Sequence, residues 1–220
     1  MKTILSTKKL SSSQKKMFEN ANISLIEYDA IEINYLKFKF PKKISNGIFT
    51  SQNAVKAFFN HHNSNISEMG KIFCVGEKTK AVLIKNNQKV AKMMQNASEL
   101  AKFITNEYKN ESFYFFCGNL RRDEIPATLK KENTTLFEVK TYETVLKKKV
   151  IHQKWDGILF FSPSGIQSFS AQNDIDNRLA FCIGKTTASE AKKHTSSVFE
   201  ADKTTVESVI QKAINTLGQT

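Results

Sequence analysis

Cysteine is scarce in this chain: Cys74, Cys117 and Cys182 are the only three in 220 residues, widely spaced and each at the end of an apolar run. An odd, dispersed set excludes a disulfide framework and a cysteine metal site, and predicts reduced, buried thiols. No stretch reaches the ~20 apolar residues that span a bilayer. The basic start Met1-Lys2-Thr3-Ile4-Leu5 lacks the apolar core of a signal peptide, so a cytoplasmic location without a membrane partner is expected. His61, His62, His152 and His194 have no carboxylate or cysteine at ligand spacing, and no metal is expected. Familiar catalytic signatures are missing as well. There is no GxGxxG or HExxH, and Gly184-Lys185-Thr186 has Leu179 where a phosphate-binding loop requires glycine. Ser162-Pro163-Ser164-Gly165 lacks the Gly-x-Ser-x-Gly frame of a nucleophile elbow. Dinucleotide, nucleotide, metal and acyl-transfer chemistry all lose their candidates.

What the chain does hold is apolar mass and positive charge. A 40% hydrophobic content with 17 Phe suffices for real cores in one large domain or two ordinary ones. A net charge of +12 suits nucleic acid, an anionic surface or a polyanionic small molecule, or reflects Lys scattered as a compositional habit. Only Lys147 to Lys149 form a tight basic run, without interleaved aromatics, so no nucleic-acid partner is expected.

The chain also repeats itself. Gly47-Ile48-Phe49-Thr50-Ser51 is echoed from Gly157, an offset of 110. Phe73-Cys74-Val75-Gly76 is echoed by Phe181-Cys182-Ile183-Gly184, an offset of 108, and Asn22 to Glu27 by Asn133 to Glu138, an offset of 111. Three collinear echoes at nearly one spacing point to a duplicated unit. Short β-forming runs at 4–6, 23–28, 47–50, 72–75, 113–116, 136–139, 157–161 and 181–183 read as strands. Segments 11–20, 51–60, 77–84, 97–108, 121–131, 164–170, 187–194 and 204–217 read as helices. Alternation of this kind predicts parallel sheets flanked by helices. Residues 1–30 fit equally with 47–108 or with 157–214; the second pairing has the chain cross between units twice, near 30–37 and 140–150.

In parallel α/β sheets, ligands gather where strand ends meet helix N-termini. The repeated turns fall there. Thr50-Ser51-Gln52-Asn53 and Ser162-Pro163-Ser164-Gly165 carry capping and anion-binding side chains. Val75-Gly76-Glu77 and Ile183-Gly184-Lys185-Thr186-Thr187 add glycines that allow close backbone approach, and Cys117-Gly118-Asn119-Leu120-Arg121-Arg122 adds two arginines. Serine and threonine in such turns also serve simply as caps. Each helix terminus contributes only about 0.3–1 kcal/mol toward an exposed anion, so an anion-binding face needs several together.

Taken in order, the turns 49–55, 74–79, 117–121, Thr141-Tyr142-Glu143-Thr144, 160–165 and 183–188 resemble the motif set of uroporphyrinogen-III synthases across nearly the whole chain. The resemblance implies an α/β fold of two similar flavodoxin-like lobes joined by a two-stranded linker: 1–32 with 148–220, 38–140, and linker strands 33–37 and 141–147. It implies a cofactor-free enzyme acting on hydroxymethylbilane, a linear tetrapyrrole with eight carboxylates, as an expected monomer with transient handover from hydroxymethylbilane synthase. In this family a tyrosine is the suspected proton donor, matching Tyr142, while Ser98 and Thr187 fall near positions suspected of holding substrate. Ser51, Gln52, Asn53, Gly76, Gly118, Asn119, Arg121, Ser162, Ser164, Gly165 and Thr186 complete the expected substrate-binding set. Lys185, and a turn Ser6-Thr7-Lys8-Lys9 without the arginine often found there, depart from the commoner pattern. A non-catalytic two-lobed binder of an anionic small molecule is the alternative.

Overall fold

The computed structural model describes residues 1–61 and 69–218; His62 lies outside them. In chain order the elements are β1 (Thr3–Ser6), α1 (Ser12–Asn20), β2 (Ser24–Glu27), β3 (Ile31–Tyr35), β4 (Ile44–Phe49), α2 (Gln52–His61), β5 (Met69–Val75), α3 (Glu77–Lys85), β6 (Val90–Met94) and α4 (Ala97–Glu107). There follow β7 (Ser112–Gly118), α5 (Glu124–Lys131), β8 (Thr135–Leu146), β9 (Gly157–Phe160), α6 (Pro163–Ser170), β10 (Leu179–Cys182), α7 (Lys185–Ala191), β11 (Val198–Glu200) and α8 (Val206–Leu217). The chain divides into two compact units, Met1–Glu32 with Val145–Thr220, and Ile33–Thr144.

The first unit holds a parallel sheet of order β11-β10-β9-β1-β2. Its strands are apolar on both faces, as a sheet covered on both sides requires. Leu5, Ile158 and Phe160 pack toward Ile166 and Phe169 of α6 and Ala188 of α7. Ile4, Leu159 and Phe181 pack on the other side, toward Phe18 of α1 and Val209, Ile210 and Ala213 of α8. Helices following the adjacent strands β1 and β9 therefore cover opposite faces, which opens a crevice between those strands at their carboxyl ends.

The second unit holds a sheet of order β3-β8-β7-β4-β5-β6. Phe49, Cys74, Phe116 and Val139 face Val55 and Phe58 of α2 and Leu83 of α3. Ile48, Phe73, Phe115 and Cys117 face Leu100 and Ile104 of α4 and Ile125 and Leu129 of α5. The same reversal, β4 to α2 on one face and β7 to α5 on the other, places a crevice between β4 and β7.

Apart from β3, the two sheets share one order: β11-β10-β9-β1-β2 parallels β6-β5-β4-β7-β8. The echoed segments occupy matching places, Gly47 in β4 and Gly157 in β9, Cys74 in β5 and Cys182 in β10. Asn22 and Asn133 close α1 and α5 with left-handed φ of 54° and 53°. At both, the residue after the asparagine donates its N–H across the last turn, Ile23 to Phe18 O (3.0 Å) and Thr134 to Leu129 O (2.9 Å), satisfying a carbonyl at the helix end. This correspondence fits a duplicated unit.

Three points differ from the sequence-based expectation. β6 and β11 are additional strands; both lie at sheet edges, β6 with a single β-branched residue and β11 only three residues long, so neither stands out as a β-forming run. The strand expected at 136–139 and the linker strand expected at 141–147 are one strand, β8. It runs parallel to β7. Beside it, β3 is antiparallel, bonded from Leu36 N–H to Thr141 O (3.0 Å), and Lys147 N–H donates to Ala30 O (2.8 Å). The third difference is local: the helix expected from 121 begins at Glu124, leaving Arg121 and Arg122 in the preceding turn.

Candidate active site

The crevice of the second unit is built around Tyr142. β7 and β8 run in register from Ser112 opposite Thr135 to Cys117 opposite Lys140, after which Gly118 faces Tyr142 and the register slips by one residue. Such a bulge turns a strand and re-aims its side chains. Regular alternation from Val139 would send Tyr142 to the α5 side; with the extra residue it joins the cluster of Phe49, Val139 and Phe116 on the α2 side. The ring lies over Gly118, where a Cβ would stand 2.5 Å from Tyr142 Cζ. Only glycine leaves that room.

Tyr142 donates its O–H to Ser51 Oγ at 3.0 Å. Ser51 precedes α2 and its Oγ also accepts the N–H of Asn53 at 3.1 Å, so the serine is helix cap and phenol partner together. Burial raises the Tyr142 pKa above its ordinary value, against the opposing pull of the Ser51 hydrogen bond. The phenol is consequently protonated at neutral pH. Gln52 and Asn53 stand half-buried in the first turn of α2, and their side chains take no hydrogen-bond partner among the described residues.

The remaining expected residues of this unit sort by what already holds them. Gly76 caps α3 with φ +81°, a conformation that requires glycine, and the space where its Cβ would stand is open. Ser98 is exposed in the first turn of α4, but the cap there is Asn96, whose side chain accepts from Glu99 N–H. Asn119 is a structural bracket: its Oδ1 accepts Thr144 N–H (2.7 Å) and its Nδ2 donates to Thr144 O (3.2 Å), extending the β7–β8 pairing past the strand end. Arg121 is not a free carboxylate clamp. It pairs with Glu138 through two nitrogens and with Asp123 at 3.0 Å, and the Glu138 hydrogen bond raises its pKa. Glu138 adjoins Val139 in the strand and so points to the α5 side, opposite to Tyr142.

In the first unit the crevice lies between β1 and β9. Ser162 caps α6 by accepting Gly165 N–H at 3.1 Å and shares a hydrogen bond with Ser164 at 3.1 Å. Gly165 is buried beside Thr7, its Cβ position 3.6 Å from Thr7 Oγ1. Thr7 in turn donates to Leu159 O at 2.7 Å. Sequence reading missed Thr7 as a wall of this crevice, because its place depends on the pairing of strands more than 150 residues apart. Thr186 is exposed at the start of α7, whereas Thr187 is only 3% exposed and packs inward.

Two doubly wound units with capped helix N-termini at their switch-point crevices define a two-unit α/β protein of flavodoxin-like topology, a class that binds ligands at those crevices. Residues 14–211 match the family model described as uroporphyrinogen-III synthase HemD. The chain belongs to the uroporphyrinogen-III synthase family. A curated relative, the porphyrin biosynthesis protein HemD of Ruminiclostridium josui, is 28% identical over 191 residues. That match covers 78% of this chain but 38% of the relative, so the chain spans well under half the relative's length. Among solved structures, uroporphyrinogen-III synthetase from Helicobacter pylori aligns over 98% of this chain and 100% of its own with TM-score 0.70 at 17% identity. A mutant uroporphyrinogen III synthase from the extremely thermophilic bacterium Thermus thermophilus aligns over 100% and 99% with TM-score 0.75 at 10% identity. At these identities the two structures speak to the fold. Among the described residues no helix is long and apolar enough to cross a membrane.

Proposed function

We propose that this protein is a uroporphyrinogen-III synthase that cyclises hydroxymethylbilane with inversion of the last pyrrole ring and loss of water. The observation that carries the reading is the family match over residues 14–211. The substrate's eight carboxylates suit a chain of net charge +12 and crevices ringed by helix N-termini.

Tyr142 is the proton donor in this proposal. Its proton reaches the terminal hydroxyl of the substrate through Ser51: the Ser51 O–H proton passes to that oxygen as the C–O bond breaks and water leaves, and the phenol proton of Tyr142 replaces it on Ser51. The electron-poor methylene carbon is attacked by the already substituted α-carbon of the last pyrrole to give a spiro intermediate. The bond from that carbon to its original methylene bridge then breaks, and the freed methylene bonds to the unsubstituted α-carbon, which closes the macrocycle with that ring inverted. The pyrrole C–H proton lost on re-aromatisation returns to the phenolate, so the net change is one water. Ser51 supports the step: its oxygen accepts from both Tyr142 and Asn53, which leaves its own O–H free to point outward as a relay. A positioned acid of this kind contributes about 100- to 10,000-fold. The rest of the acceleration is conformational, since holding the bilane folded prevents the spontaneous closure that leaves the ring uninverted. No cofactor takes part. The protein works as a cytoplasmic monomer and takes substrate by transient handover from hydroxymethylbilane synthase.

The test is a coupled assay with freshly generated hydroxymethylbilane and separation of the oxidised porphyrin isomers. Type III product lost or slowed at least ~100-fold in Tyr142→Phe supports both enzyme and acid. Type III product unaffected by that change keeps the enzyme and reduces Tyr142 to packing. Type I product alone, from folded wild-type protein, overturns the enzymatic reading in favour of an anion-binding module.

A further inference from the structure

The chain has five tyrosines, and four have evident partners. Tyr28 is buried in the first-unit core, Tyr108 packs edge-on to Phe73, Tyr114 stacks on Phe137, and Tyr142 is bonded to Ser51. Tyr35 is the exception. It is 47% exposed at the end of β3, and among the described residues its ring stacks on no other ring and its hydroxyl bonds to nothing.

Its position is set by strand register. The bond from Leu36 N–H to Thr141 O makes 36 and 141 a hydrogen-bonded antiparallel pair. The neighbouring pair, Tyr35 and Tyr142, is then of the non-hydrogen-bonded kind, in which directly opposite residues point to one face with Cα atoms about 4.5 Å apart. Tyr35 thus leaves β3 on the same face of the sheet as Tyr142, whose phenol reaches Ser51. An aromatic left half exposed on an edge strand keeps apolar ring surface in water.

We propose that Tyr35 is a substrate-positioning residue that stacks on a pyrrole ring of the bilane next to the reacting end. This rests on the reading of the protein as a uroporphyrinogen-III synthase. A pyrrole is a flat, electron-rich ring, and an aromatic face offers it offset-stacked or edge-on contact. The contact needs the ring of Tyr35 and not its hydroxyl. It is made to unreacted substrate and transition state alike, so its loss appears in KM more than in kcat.

The experiment compares Tyr35→Ala and Tyr35→Phe with wild type in the coupled assay, with melting curves to verify folding. Tyr35→Ala is expected to raise KM about tenfold with kcat changed less than threefold, and Tyr35→Phe to restore KM to within about twofold of wild type, from a stacking contribution of about 0.5–1.5 kcal/mol. Equal KM in wild type and Tyr35→Ala, with type III product from both, overturns the inference and leaves the enzyme standing. A KM rise in Tyr35→Phe as large as in Tyr35→Ala also overturns it, since the hydroxyl would then be the active part. Wild-type protein that yields only type I product would defeat the enzymatic reading first, an outcome distinct from both.

Discussion

Replacing Gly118 with alanine tests the geometry of the site most directly. The new Cβ would lie 2.5 Å from Tyr142 Cζ, 2.6 Å from Cε2 and 2.9 Å from the hydroxyl oxygen. Favourable carbon–carbon contact begins near ~3.5 Å, so the ring must retreat by roughly 1 Å. The phenol, now 3.0 Å from Ser51 Oγ, would be carried beyond hydrogen-bonding distance. Gly118 is absent from the residues with positive φ, so alanine strains no backbone angle and the whole effect runs through the ring. Overpacking of this kind costs about 1–3 kcal/mol, of which the lost hydrogen bond accounts for about 1 kcal/mol. For a chain of this size each kcal/mol moves Tm by about 2–4 °C, so a fall of about 2–12 °C is expected. Activity should fall toward that of Tyr142→Phe, because the acid is displaced from its partner. The control is a double-mutant cycle: in a Tyr142→Ala background the obstructing ring is gone, and Gly118→Ala should cost almost nothing. An equal loss of Tm in both backgrounds, or a Gly118→Ala protein as stable and active as wild type, would refute the reasoning.

Other outcomes follow from the same contacts. Arg121→Ala should change kcat/KM less than threefold, because the guanidinium is already committed to Glu138 and Asp123; a loss above tenfold would mean that substrate displaces Glu138. Burial pushes Cys74 and Cys117 up to about 11 and Cys182 to about 12. Ellman's reagent at about pH 8 should therefore find no reactive thiol in the native protein and three after denaturation. Gly70→Ala places a Cβ 2.4 Å from the Ser45 carbonyl oxygen, so a backbone must shift, and a Tm loss comparable to that of Gly118→Ala is expected without a selective loss of activity. Hydrogen bonds from Asn46 and Lys71 hold the Glu111 carboxyl below its usual range. A depressed carboxylate stabilises the fold above its unfolded-state pKa and loses that contribution as pH falls through the folded value. The Tm gap between wild type and Glu111→Gln should thus be open at about pH 7 and narrow below about pH 4; a constant gap would contradict this.

The α/β character of the chain was legible because strands buried on both faces read as unbroken apolar runs, such as Phe113 to Cys117 and Gly157 to Phe160. Loops betrayed themselves through residues with one physical purpose. Ser162 sits where a helix N-terminus needs an acceptor, whereas Asn22 and Asn133 were legible only as an internal echo, and the structure shows them closing helices with left-handed φ. The thin edge strands β6 and β11 left little trace, because a strand at the margin of a sheet is short and half solvated.

Within the site the division is sharper. Local chemistry picked out Ser51 and Gly118, each from its own turn, and the family resemblance pointed to Tyr142, but neither gave a means of joining them. Ser51 and Tyr142 are 91 residues apart, and what joins them is the parallel order of β4, β7 and β8 together with a one-residue slip that turns a phenol from one face of the sheet to the other. Arg121 shows the converse. Its charge advertised a carboxylate partner, and the fold supplied one from 17 residues along the same chain. Sequence by itself determined which segments become strands, helices and caps, because those choices depend on neighbours within a few residues. Only the tertiary structure decided which side chains meet and on which face, because strand order and register are properties of the whole sheet.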